Sequence, residues 1–119
     1  VRDFSGPAAA IAIALTLSAC EQPQSSLGDP KVGGALIGEA QCGACHAIPG
    51  IAAADGMSGP PLKAFSRRTI IAGILANTPS NLAAWIRSPQ TISPGNAMPN
   101  MNLSDSQARD IAAYLDTLQ

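Results

Sequence analysis

Two cysteines spaced by two residues and followed at once by histidine, Cys42-Gly43-Ala44-Cys45-His46, dominate this sequence, because the chain has to fold around whatever those side chains hold. Three chemistries use such a run: a thiol-disulfide redox pair, half of a zinc site, or covalent attachment of haem. A redox pair of the thioredoxin kind needs a βαβ setting, and no alternating strand pattern is present. A structural zinc normally needs four Cys or His ligands. Here His46 is the single histidine, and Cys20 is the one further cysteine. A disulfide between Cys42 and Cys45 would close so short a loop that it would constrain little. Haem attachment uses all three residues, since both thiols can add to the vinyl groups of one macrocycle while the adjacent imidazole reaches the iron. The motif predicts one covalent haem bonded through Cys42 and Cys45, with His46 as metal ligand.

The N-terminal part reads as a targeting segment. Ala8 to Leu17 is a run of Ala, Ile, Leu and one Thr, preceded by Arg2 and followed by Ser18 and Ala19. It is about half the roughly 20 residues that a membrane-crossing helix requires, so a signal peptide is the better reading. Leu17-Ser18-Ala19-Cys20 is similar to the lipobox of bacterial lipoproteins. That similarity implies removal of residues 1–19, lipid attachment at Cys20, and a domain tethered on the periplasmic side of a bacterial membrane. Removing 19 of 119 residues leaves 100, and the net charge stays at −1 because Arg2 and Asp3 leave together. A nearly neutral chain offers no electrostatic case for nucleic acid or for an anionic membrane surface. Residues 20–29, rich in Gln, Ser and Pro, read as a linker.

The domain expected over residues 30–119 is all-α, with three to five helices and long loops wrapped around the haem. Asp29 and Pro30 form a cap and first position for a helix over Lys31–Gln41, with Val32, Leu36 and Ile37 facing the core. Ser66–Leu75 is read as a short helix. Thr78 and Pro79 start another that runs to Ser88 and stops at Pro89, after which Gln90–Asn102 is loop. Ser104 and Gln107 make a capping box for a last helix with Ala108, Ile111, Ala112, Leu115 and Leu118 on one face. A domain this small buries proportionally little surface, and Phe65, Trp85 and Tyr114 are the aromatics in that part. A macrocycle would supply the missing apolar bulk.

Across Asp29 to Gln119 the chain resembles the class I, monohaem c-type cytochromes. The resemblance rests on Cys42-Gly43-Ala44-Cys45-His46, Gly59-Pro60-Pro61-Leu62, Asn81 to Pro89 around Trp85, Pro94-Gly95-Asn96-Ala97-Met98-Pro99, and Ala112-Ala113-Tyr114-Leu115. It is most similar to the cytochrome c domain appended to subunit II of some haem-copper oxidases, here expected as a stand-alone lipoprotein. The resemblance implies Met98 as second iron ligand, with Met101 as competitor and Met57 a remote third. It also implies a Pro60 carbonyl accepting from His46, Arg68 (or Arg67) near a haem propionate, Trp85 against the haem edge, and Tyr114 packed on the first helix near Gly33.

The implied function is non-enzymatic electron transfer by a monomer, from a quinol- or dehydrogenase-type donor to a membrane-bound haem-copper oxidase. Alternatives are a peroxidase or gas-binding haem protein with a vacant iron position, or a fixed electron-entry subunit of a dehydrogenase or oxidase complex. Against the first stand Met98 and the lack of a second histidine. With few lysines, partner contact is expected to use an apolar rim of Ala44, Ala47, Ile48 and Ala97.

Overall fold

Helix α1, Pro30–Glu39, begins in the computed structural model where its capping residues place it. The structure describes residues 28–119 together with Arg2; the rest of the expected signal segment, the lipid site at Cys20 and the linker up to residue 27 lie outside the described residues. The Asp29 carboxylate accepts from the amides of Lys31 (2.8 Å) and Val32 (3.3 Å), which occupies two of the donors that a helix start leaves open. The core face differs from expectation at one position. Gly33 and Ile37 point inward, one turn apart, while Val32 is 44% exposed. The reason is Gly33: a Cβ there would lie 1.9 Å from the Asp110 carbonyl oxygen, so only glycine lets the backbone of the last helix come this close. The face centred on Gly33 goes to that contact, and Val32 turns away.

That last helix, α4, spans Asp105–Asp116 and carries the full capping box, Gln107 N–H donating to Ser104 Oγ and Ser104 N–H to Gln107 Oε1. Ala108, Ile111, Ala112 and Leu115 are buried on one face, and Leu118 is half-buried beyond the helix end. Asp110 also accepts from the Asp29 amide (2.7 Å), tying the two ends of the domain together. Tyr114 packs on α1 as expected, over Gly34 beside Gly33, and its hydroxyl donates to the Pro49 carbonyl (2.7 Å).

Ser66–Leu75 is not a helix. A single 3₁₀ turn at Phe65–Arg67 is followed by a small antiparallel hairpin, β1 (Ile70–Ile71) and β2 (Leu75–Ala76). The β-branched Ile70 and Ile71 suit extended backbone, and the chain reverses through Ala72 and Gly73, both at positive φ (51° and 75°), which a helix cannot accommodate. Asn77 fastens the hairpin to the 3₁₀ turn by donating to the carbonyls of Arg68 and Phe65.

Helix α2, Pro79–Arg87, is capped by Thr78 and packs on α4 through Leu82 and Ile86. Pro89 does not start a loop. Its ring suits a first helical position and opens a one-turn helix α3, Pro89–Ile92, with the proline itself buried. The described part is thus mostly helical, α1 and α2 flanking α4 over a core of Ile37, Phe65, Leu82, Ile86, Ile111 and Leu115, with long loops between α1 and α2 and between α3 and α4. None of the described helices is long and apolar enough to cross a membrane.

Candidate functional site

Past the end of α1 the chain turns through Gln41, at φ 56°, into a 3₁₀ turn over Cys42–Ala44. The Cys42 carbonyl accepts from the amides of Cys45 (3.2 Å) and His46 (3.0 Å), so one tight turn carries all three motif side chains. No disulfide joins the two thiols; Cys42 is half-buried, and Cys45 is exposed. Burial pushes the Cys42 thiol above its ordinary pKa; a backbone hydrogen bond acts against this, and the charge of Cys45 adds to it.

A second loop closes on the imidazole. Gly59 N–H donates to the Cys45 carbonyl (2.7 Å), and Leu62 N–H to that of Ala47 (2.8 Å), which lays residues 59–62 along the motif. His46 Nδ1 lies 2.8 Å from the Pro60 carbonyl oxygen. A carbonyl can only accept, so Nδ1 carries the proton, and the lone pair of a neutral ring is on Nε2, free to bind a metal. Gly59 is needed for the approach, because a Cβ there would sit 2.6 Å from His46 Cε1 and 2.7 Å from Nδ1. Two thiols on one turn and an imidazole with an available Nε2 are the groups that covalent haem attachment and iron ligation require. Among the described residues no group of three His, Cys, Asp or Glu is placed to hold a metal ion by itself.

The other candidates are distributed around this pair of loops. The Arg68 guanidinium donates to the carbonyl of Pro61 and lies over the Phe65 ring, 4.9 Å from its centroid, so in this structure it braces the Pro60-Pro61 segment. Trp85 is half-buried against the core cluster. Met98 and Met101 are both half-buried on the loop between α3 and α4, whereas Met57 is 94% exposed. Of the expected apolar rim, Ala44 and Ala97 are exposed and Ala47 is half-buried, but Ile48 is a core residue at 3% exposure. Ile48 N–H pairs with the Ala54 carbonyl (3.0 Å) in the loop after the motif, which folds the side chain inward.

Sequence reasoning missed Gln90 and Asn96, whose side-chain amides organise the Met98 loop. The readable clue was local: Asn96 two residues before Met98 is the spacing of an Asx turn, and its Oδ1 accepts from Met98 N–H (2.7 Å).

The family profile described as Cytochrome c matches residues 31–119. The chain is 37% identical over 100 residues to a cytochrome c oxidase subunit 2 from Alkalihalophilus pseudofirmus, covering 83% of this chain and 28% of that protein. A protein of the same description from Bacillus subtilis is 36% identical over 93 residues, covering 75% and 26%. The chain thus spans about a quarter of the length of these relatives.

Proposed function

The chain belongs to the cytochrome c family, and from that premise we propose that it is a non-enzymatic electron carrier with one covalent haem c, serving a membrane-bound haem-copper oxidase. When bound, haem supplies a one-electron ferric/ferrous couple. Cys42 and Cys45 would bond it, and His46 Nε2 and the Met98 thioether would ligate the iron. The observation that carries the reading is the His46 Nδ1–H donated to Pro60, which fixes the ring and leaves Nε2 as the ligating atom. A thioether on the second position favours the ferrous state and leaves no vacancy for a substrate or gas. Exposed Ala44 puts one side of the motif turn at the surface, where a partner can approach.

The proposal extends to the N-terminal part on the strength of Leu17-Ser18-Ala19-Cys20: removal of residues 1–19, a lipid on Cys20, and residence on the periplasmic side of a bacterial membrane. The names of the relatives favour a second reading, in which the domain is a fixed electron-entry part of an oxidase. Co-purification with oxidase subunits through detergent and high salt separates the two, since a shuttling carrier washes off. The ligand assignment is tested by Met98→Ala and Met101→Ala. The weak sulfur-to-iron charge-transfer band should vanish in the first and persist in the second, and the unsubstituted ferrous protein should bind carbon monoxide slowly. The reverse band result, or rapid carbon monoxide binding, would overturn it.

A further inference from the structure

Met98 belongs to no helix or strand, yet both of its backbone polar groups are held. Its N–H donates to Asn96 Oδ1 (2.7 Å), and its carbonyl accepts from Gln90 Nε2 (2.7 Å). Gln90 uses its whole amide on this loop: Nε2 also donates to the Asn96 carbonyl (2.8 Å), and Oε1 accepts from Gly95 N–H (3.0 Å). Asn96 in turn donates from Nδ2 to the carbonyls of Ser93 (2.6 Å) and Pro89 (3.1 Å). Gln90 stands on α3 next to Pro89, which is fully buried, so the clamp is rooted in the core.

We propose that Gln90, backed by Asn96, is a positioning residue that holds Met98 as an iron ligand and sets how seldom that ligand detaches. This rests on the reading of Met98 given above. A thioether is a weak ligand for ferric iron, so it stays bound only where the chain keeps it in place. With N–H and C=O both anchored, any detachment that displaces the loop has to break the amide contacts, which leaves rotation of the side chain alone as the other route. Each such hydrogen bond is worth about a two- to tenfold factor in an equilibrium constant. Losing the three that Gln90 makes to Met98, Asn96 and Gly95 should therefore raise the open population about tenfold or more.

The test uses the full ferric holoprotein and imidazole as probe, because imidazole can reach the iron only after the thioether leaves. In Gln90→Leu the observed imidazole association rate should rise at least about tenfold, the charge-transfer band should weaken, and the potential should fall. Gln90→Glu keeps the acceptor for Gly95 but loses both donors, and should behave similarly. Tyr114→Phe removes a hydrogen bond remote from this loop and should lower the melting temperature without changing the rate. Should Gln90→Leu fail to fold, Asn96→Ala, which releases the Met98 amide, carries the same expectation. Rates within twofold of the parent in these variants, with Met98→Ala losing the band, would refute the clamp and leave the ligand assignment standing. A band that survives Met98→Ala would refute both.

Discussion

Gly59→Ala tests the contact between the loop and the imidazole most directly. The added Cβ would fall 2.6 Å from His46 Cε1 and 2.7 Å from Nδ1, well inside ordinary contact, and the neighbour is a ring already held on its other side by the motif turn. Either residues 59–60 lift away or the ring rotates, and in both cases the 2.8 Å hydrogen bond from Nδ1 to the Pro60 carbonyl is lost. Overpacking costs about 1–3 kcal/mol and the hydrogen bond about 1 kcal/mol, so the loss of stability should be about 2–4 kcal/mol. For a domain of this size each kcal/mol lowers Tm by about 4–8 °C, which makes the expected drop at least roughly 8 °C by circular dichroism. The same hydrogen bond makes the imidazole a stronger donor and so stabilises ferric iron. If all of its worth of about 1 kcal/mol bears on the ferric state, its loss raises the potential by about 40 mV, since about 59 mV corresponds to about 1.4 kcal/mol for one electron. A melt within about 2 °C of the parent and an unchanged potential by redox titration would show that the loop does not press on the ring.

Gly33→Ala places a Cβ 1.9 Å from the Asp110 carbonyl oxygen and should cost at least about 1–3 kcal/mol in denaturant unfolding; an unchanged midpoint would contradict the close helix crossing. Ser104→Ala removes half of the capping box and should cost about 1 kcal/mol, read from the same titration. Cys42→Ala combined with Cys45→Ala should give a chain without a cooperative melt, because so small a core lacks the macrocycle; native-like helical unfolding would argue otherwise. Electron transfer to an oxidase should vary little with ionic strength and fall sharply for Cys20→Ser. A steep salt dependence with an equally active unlipidated form would remove the case for a tether.

Features carried by single residues acting on their own backbone could be read from the sequence. Asp29 before Pro30, Thr78 before Pro79 and Ser104 with Gln107 each mark a helix start, because capping is decided within a turn. The spacing of Cys42, Cys45 and His46 was legible for the same reason. What escaped depends on partners distant in sequence. Val32 and Gly33 are neighbours in the chain, and which of them faces inward is settled by the backbone at Asp110. Ile48 looked like a surface residue of the motif until its amide met Ala54. The hairpin at Ile70–Ala76 was hidden because two-residue strands are too short to show an alternating pattern, although Ile70-Ile71 and Gly73 were its local clues. Gln90 had no readable role, since its amide serves residues five to eight positions ahead that only the folded loop brings to it.

The Asp29–Asp110 junction also fixes where anything upstream must attach. Gly28 is pressed against the backbone at Arg109 and Asp110, at the starting end of α1, while Cys42 follows shortly after the other end. Ten residues of helix are a strut of about 15 Å. A preceding segment, whether a lipidated leader or a longer polypeptide, therefore grips the domain by the end away from the motif, like a hand on the handle of a lamp. The motif therefore lies a helix length away from the point of attachment, and a partner would meet it without meeting the upstream segment first.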